Sequence, residues 1–239
     1  MHRNRTVREP EAVNPLRGFE GNRFEKAVAS FFYWLRSNSR TVLIVLAALV
    51  IGGLGALGFF IYRDQVERKS LHEFEALMKN PVMAPNSGPE AQKIALEKLS
   101  KYEQQFTNDH AKIRSSLRRI DILVRAGEKE KAAEALMDIA MIADSPELQA
   151  LFAYRAGTYF EEKEKYARAE SAYSMAASKI QDENAVLALT LFGQGRSLIL
   201  LGKDREGKEV LKRMMEIKEA ENIADLRIAA TAFLIQHGK

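Results

Sequence analysis

Three glycines near the N-terminus, Gly53, Gly55 and Gly58, have the spacing G-x-G-x-x-G. In a dinucleotide-binding fold this motif follows a strand and opens a helix, and an acidic residue stands about 20 positions further on. Here the glycines lie inside the uncharged run 41–62, and only helical periodicity follows them. The motif therefore does not predict a nucleotide site, and we expect no cofactor.

Other residue types that carry chemistry are scattered along the chain. The four histidines are isolated and none belongs to an HExxH pair, and neither a GxSxG elbow nor a phosphate-binding loop occurs. Carboxylates cluster in charged runs such as 161–165, which is typical of a solvated helix face. The absence of cysteine excludes a thiol nucleophile, a disulfide framework and a Cys-ligated zinc site. We expect no catalytic residue, no metal and no small-molecule substrate, so the chain is not predicted to be an enzyme.

The uncharged run 41–62 predicts a transmembrane helix. As a helix the run spans about 33 Å, enough for the hydrocarbon core of a bilayer. Arg36 and Arg40 precede the run, Arg63 and Asp64 follow it, and aromatic residues lie at both edges. A cleaved signal peptide has a short leading region, whereas the long tail 1–40 precedes this run. We therefore expect an uncleaved anchor in contact with the lipid bilayer.

Small residues recur within this predicted anchor. Ala48, Gly52 and Ala56 form a small-xxx-small ridge, which lets two helix backbones approach closely in lipid. The ridge predicts packing against another membrane helix. The alternative is that small residues are simply common in membrane helices.

The charge distribution favours one orientation of the anchor. The tail 1–40 holds eight Arg or Lys and four Glu, whereas the charges after residue 62 cancel. Counts close to the membrane are equal on the two sides, but the whole tail favours a cytosolic N-terminus. The balanced remainder gives no reason to expect nucleic-acid binding.

The end of the tail has a helical pattern of its own. Apolar residues between Phe24 and Leu35 follow the i, i+3, i+4, i+7 spacing of one helix face, with basic residues beside them. This pattern predicts an interfacial helix at about 23–36, or else the start of the membrane helix itself. Residues 1–20 are expected to be disordered.

The remainder of the chain, 63–239, predicts an all-α domain. No alternating strand pattern occurs, and turn residues such as those at 85–89 and 144–146 separate helical segments. The expected helices are 63–79, 90–106, 111–126, 129–142, 147–162, 166–179, 184–201, 205–218 and 222–237.

A repeat within this domain specifies the fold further. The unit 147–179 has small and aromatic residues at a fixed spacing. Counted from Gly157, they stand at offsets 0, 3, 9, 12, 16 and 19, namely Gly157, Phe160, Tyr166, Ala169, Tyr173 and Ala176. This pattern resembles the tetratricopeptide repeat, which implies stacked helix pairs in an α-solenoid. The flanking units follow at intervals somewhat longer than the usual repeat of about 34 residues. These flanking units fit less well, because Gly207 replaces an expected alanine and Ile120 replaces an expected small residue. The best unit also departs from the pattern, since Gln181 stands where the terminal proline is expected.

The resemblance implies a binding groove lined by the first helix of each pair. The positions it assigns to the groove are Arg114, Leu117, Asp121 and Val124, then Leu151, Tyr154, Thr158 and Glu161, then Leu189, Phe192, Arg196 and Ile199. We expect Arg114, Leu117, Asp121, Tyr154, Thr158, Phe192 and Arg196 to contact protein partners. The alternative for Tyr154 and Phe192 is that both are buried between helices.

The order of parts resembles one family over about residues 20–239. The chain has a basic tail, one anchor, the segment YEQQF at 102–106, and then the units IDILVRAGEKEKAAEAL and RAGTYFEEKEKYARAESAY. This order is similar to that of the ancillary subunit of the bacterial Sec translocon. The resemblance implies a single-pass inner-membrane protein with a cytosolic N-terminus and a periplasmic domain. The implied partners are the SecYEG translocon, periplasmic chaperones and exported clients. Two alternatives are a scaffold of another envelope assembly, in cell division or outer-membrane biogenesis, and a cytosol-facing membrane receptor.

Overall fold

The structure, a computed structural model, describes residues 22–217 and 223–237. Within these residues the chain is all-helical, with ten α-helices, one short 3-10 helix and no strand. The α-helices are α1 Arg23–Ser37, α2 Ser39–Met78, α3 Pro89–Gln105, α4 Asp109–Arg125, α5 Lys129–Ile142, α6 Pro146–Glu162, α7 Tyr166–Lys179, α8 Ala185–Leu200, α9 Asp204–Glu216 and α10 Ala224–His237. The 3-10 helix is Pro81–Met83.

One predicted boundary is wrong. The sequence pattern begins a helix at residue 63, but α2 begins at Ser39 and continues to Met78 without interruption. Composition changes from apolar to charged at Arg63, yet the following residues contain no glycine or proline that would end a helix. Among the described helices, α2 is the one that is long and apolar enough to cross a membrane.

The chain divides into two compact units, Met1–Asp64 and Gln65–Lys239. The described part of the first unit is α1 and the N-terminal part of α2, and none of its residues is buried. A capping box begins α1, because the Asn22 side chain accepts from the Glu25 amide while the Glu25 carboxylate accepts from the Asn22 amide. The basic residues Arg3, Arg5, Arg8 and Arg17, and the disorder expected for 1–20, lie outside the described residues.

The second unit is built from sequential packing. Each helix from α3 to α9 packs against the next one along the chain, and α6 also contacts α8 directly. One apolar core runs from α4 to α7 and includes Leu136, Phe160 and Tyr173. A second core joins α8, α9 and α10 and includes Leu191 and Leu211.

Three turns inside this unit have the same geometry. Each contains one residue in the left-handed region, Gly127 (φ 76°), Glu164 (φ 58°) or Gly202 (φ 79°). In each turn the amide of the next residue donates to a carbonyl five residues back at 2.9 Å, as in a Schellman motif. The turns therefore recur at the same interval as the units of the sequence pattern.

Gly207, which departs from the sequence repeat, lies where two helices come close together. A Cβ atom at this position would stand 2.5 Å from Cγ1 of Ile199 and 2.8 Å from the carbonyl oxygen of Gly195. Alanine therefore does not fit unless α8 and α9 move apart. The departure from the expected alanine thus has a packing cause.

Candidate functional site

Tyr173 on α7 lies at the centre of the candidate site. A Cβ atom at Gly157 of α6 would stand 2.8 Å from its ring, and one at Gly193 of α8 would stand 2.5 Å from it. The two glycines therefore hold the ring between α6 and α8, where a larger residue would displace it. This contact fixes where the tyrosine hydroxyl lies.

The Tyr173 hydroxyl reaches two residues of α6. It donates to the Glu161 carboxylate at 3.0 Å and lies 3.4 Å from the hydroxyl of Thr158. Burial raises the pKa of Tyr173 well above its usual value, and the Glu161 carboxylate raises it further, against a lowering by the Thr158 hydrogen bond. The phenol is therefore neutral at physiological pH and acts as a hydrogen-bond donor.

Arg196 of α8 completes this polar group. Its guanidinium donates two hydrogen bonds to Glu161, one of them 2.7 Å long, and lies 4.9 Å from the ring centre of Phe192. Burial lowers the pKa of Arg196, but the hydrogen bonds and charge of Glu161 outweigh it and raise the pKa. The arginine is therefore a fixed cation whose charge is balanced by Glu161, and its aromatic neighbour stacks against it.

The structure thus brings together five of the predicted groove positions, Tyr154, Thr158, Glu161, Phe192 and Arg196. Tyr154 and Phe192 are both half-buried, so each has a packed side and an accessible side. The Tyr154 ring centre lies 5.8 Å from that of Tyr173, and Phe192 packs against the second core. The side chains of Tyr154 and Phe192 therefore pack against other helices and are also partly accessible to solvent.

More exposed apolar residues lie beside this group, on the N-terminal halves of α6 and α8. Leu148 and Leu151 on α6 are 43% and 45% exposed, and Val186 and Leu189 on α8 are 47% and 42% exposed. The members of each pair, 148 with 186 and 151 with 189, are separated by the repeat interval. We call these four residues the apolar row. Sequence reasoning included Leu151 and Leu189 but missed Leu148 and Val186, which the same interval would have found.

A cleft of about 320 Å³ opens at the apolar row. Its lining includes the apolar residues Leu151, Ile180 and Val186 and the charged residues Glu147, Lys179 and Asp182. The cleft therefore presents apolar and charged side chains together at the surface.

The predicted groove residues on α4 have other contacts. Arg114 donates to the Glu67 carboxylate at 2.6 Å and to the Ser70 hydroxyl at 2.8 Å. Asp121 accepts from Arg118 and Arg125. Leu117 is 40% exposed. The charged groups of Arg114 and Asp121 are therefore engaged within the chain, while Leu117 is accessible.

The ridge in the predicted anchor is open. Ala48, Gly52 and Ala56 are exposed, and a Cβ atom at Gly52 would meet nothing within 4 Å. Nothing in the described chain packs against this face, so a second helix has room to do so.

In the part of the chain that the structure describes, no group of three or more His, Asp or Glu side chains is placed to hold a metal ion. Comparison of the chain with protein-family models, with curated proteins and with solved structures finds no match.

Proposed function

We propose that this chain is a membrane-anchored protein-binding module that assists Sec-dependent export. In this proposal α2 spans the bacterial inner membrane. The helices after it form a tetratricopeptide-like α-solenoid in the periplasm, which binds exported clients and passes them to periplasmic chaperones. The observation that carries the proposal is the apolar row, in which two helices that contact each other expose apolar residues at the same repeat positions.

The regular turns support the solenoid. Three turns of one geometry, which recur at the interval of the sequence repeat, each join the two helices of a pair. Stacked pairs of this kind present the first helix of each pair on one surface. The apolar row lies on α6 and α8, which are such first helices.

The chemistry of the surface favours unfolded or extended polypeptide as the partner. Leucine and valine side chains contact apolar side chains without requiring a particular sequence, and the half-buried rings of Tyr154 and Phe192 offer rigid contact area at low entropic cost. The charges of Arg196 and Glu161 cancel, so this pair does not favour a strongly charged partner. A client with varied sequence fits this surface better than one defined motif does.

A membrane anchor makes weak binding sufficient. A domain tethered to the bilayer stays near membrane partners at a high effective concentration, so each contact needs only modest affinity. The cytosolic orientation of the N-terminus follows from the basic tail, and the Sec assignment rests on the family resemblance. A scaffold for another envelope assembly and a cytosol-facing receptor are the competing functions.

The test is photocrosslinking in living cells from residues of the apolar row. A crosslinking amino acid at position 151 or 189 is expected to capture exported proteins during their translocation and components of the SecYEG translocon. The matched control is position 141 on α5, where Met141 is 71% exposed but lies outside the apolar row. Equal capture from position 141 would show that the apolar row is not the binding surface.

The competing functions give different results in the same cells. Stable capture of a few envelope proteins, without exported clients in transit, would favour a scaffold. Protease treatment of intact spheroplasts tests orientation, because a periplasmic domain is digested whereas a cytosolic one is protected. Protection would favour the receptor and contradict the proposed topology.

A further inference from the structure

Helix α1 has two faces of opposite chemistry. At about 100° per residue, its Phe, Trp, Val and Leu side chains and Ala27 all fall within about 160° of its circumference, whereas Ala29 and Tyr33 lie outside this arc. The residues within the arc are Phe24, Ala27, Val28, Phe31, Phe32, Trp34 and Leu35. The other half carries Arg23, Glu25, Lys26, Ser30, Tyr33, Arg36 and Ser37. No residue of α1 is buried, so the apolar half has no protein partner within the described chain.

A polar segment separates this helix from the apolar part of α2. The segment 36–40, Arg-Ser-Asn-Ser-Arg, contains no apolar side chain. At Asn38 the helix is interrupted, and the Asn38 side-chain amide donates to the Trp34 carbonyl at 3.0 Å. A stretch with two arginines lies at headgroup depth when the following apolar residues enter the hydrocarbon.

This arrangement leaves two positions for α1. If it continued along the direction of a membrane-spanning helix, its apolar half would stand in water. If it lies flat, the apolar half enters the acyl-chain boundary and the polar half faces water. The second position removes the large apolar side chains of this half from water, so it is favoured.

The charges on α1 indicate which lipid it meets. Arg23 and Arg36 lie at the two edges of the apolar half, where a long basic side chain reaches a headgroup while its stem stays on apolar surface. Lys26 and Arg40 add positive charge, and Glu25 is the single acidic residue between 22 and 40. The Glu25 carboxylate is already engaged by the capping box. The segment is therefore cationic at the depth of the phosphates.

We propose that α1 is an interfacial helix that lies in the plane of the membrane beside the N-terminal end of α2 and binds anionic lipid headgroups. The partner is a lipid surface, because Asn38 alone separates α1 from α2 and this short connection holds α1 next to the bilayer. This role is separate from protein binding by the second unit.

The test measures the depth of single positions in the full-length protein reconstituted into vesicles. Because the chain has no cysteine, one engineered cysteine carries one spin label, and paramagnetic quenchers in water or in lipid report its depth. Labels at Val28→Cys and Leu35→Cys sample the apolar half, and one at Ser30→Cys samples the polar half. A label at Leu49→Cys reports whether α2 is inserted.

The expected result is that positions 28 and 35 lie at the same depth, just below the phosphates, while position 30 is in water. A helix that continued α2 would instead place position 28 about 10 Å further from the membrane centre than position 35, which would overturn the proposal. Shielding of both apolar positions from water and lipid alike would show a protein partner and also overturn it. A water-exposed label at position 49 would remove the membrane-spanning premise.

A second measurement separates headgroup charge from burial. Vesicles of phosphatidylcholine are compared with vesicles that contain one quarter phosphatidylglycerol, and the anionic lipid is expected to increase the lipid accessibility of position 28 at least twofold. The variant Arg23→Gln, Lys26→Gln, Arg36→Gln, which keeps the apolar half, is expected to lose this difference. An unchanged difference would show that these cations do not bind the headgroups.

Discussion

Arg196 and Glu161 are 35 residues apart in the sequence, and their side chains join α8 to α6 through two hydrogen bonds. The Glu161 side chain is 12% exposed and that of Arg196 is 34% exposed, so the pair is partly shielded from water. Tyr173 donates to the same carboxylate. The pair therefore links the two helices that carry the apolar row.

Removal of Arg196 is expected to destabilise the second unit. In Arg196→Gln the shielded Glu161 carboxylate loses its cation, which lowers the free energy of unfolding by about 1–3 kcal/mol. Urea denaturation of a fragment 65–239 measures this change. The control Lys212→Gln removes an exposed pair with Glu216 and is expected to change stability by at most about 0.5 kcal/mol. Equal effects of the two substitutions would contradict a structural role for the Arg196 pair.

The close contact at Gly193 predicts a coupled effect. In an open helix, Gly→Ala stabilises by up to about 1 kcal/mol, but Gly193→Ala drives a methyl group into the Tyr173 ring and is expected to cost about 1–3 kcal/mol. The same substitution in a Tyr173→Leu background is expected to cost much less, because the ring is gone. Thermal unfolding of the four proteins in this cycle measures the coupling. Additive effects would mean that the ring does not lie against Gly193.

The turn at Glu164 predicts a stabilising substitution. Glu164 has φ 58°, whereas the equivalent positions of the other two turns are Gly127 and Gly202. Glu164→Gly removes the left-handed strain and is expected to raise the free energy of unfolding by about 1 kcal/mol. The neighbouring control Lys163→Gly, at φ −100°, gains no such relief and is expected to be neutral or destabilising. A loss of stability in Glu164→Gly would contradict the turn geometry.

The raised pKa of Tyr173 predicts a pH dependence. A group whose folded-state pKa lies above its unfolded value of about 10 stabilises the fold fully below that pH, and this contribution is lost as the pH rises through the folded-state pKa. Above pH of about 10 the free energy of unfolding should fall by up to about 1.4 kcal/mol per pH unit from this group. In Tyr173→Phe the free energy of unfolding should fall less steeply with pH, by that amount. Parallel slopes, measured by urea denaturation at several pH values, would show that the phenol is not buried.

The ridge in α2 predicts a loss of partners without a loss of the anchor. Gly52→Leu fills the face between Ala48 and Ala56, and the helix has room for it because a Cβ atom at Gly52 would meet nothing within 4 Å beyond the helix's own backbone. Membrane integration is expected to be unchanged, while co-purification of a membrane partner in mild detergent falls at least fivefold. Gly58→Leu, on another face of the same helix, is the control. Full co-purification with Gly52→Leu would place the membrane contact elsewhere.

The sequence by itself determined the local structure. Periodicity and turn residues located nearly every helix, because hydrophobic spacing and backbone preference act within a few residues. Gly127 and Gly202 lie in gaps between the expected helices, where glycine favours a turn. The third turn has no glycine, so its left-handed residue, Glu164, is not evident from residue type. The apolar run 41–62 likewise indicated a span from composition alone, although α2 continues past it because charge does not end a helix.

Only the tertiary structure decided which side chains meet. The sequence did not decide whether Tyr154 and Phe192 lie in the core or on the surface. In the structure both side chains are half-buried. Arg114 was predicted for the groove, but the fold brings it to Glu67, 47 residues earlier in the chain. The need for glycine at position 207 arises from Gly195 and Ile199 on the preceding helix. Such contacts depend on the distance and angle between packed helices, which are set by the whole core and not by spacing along one segment.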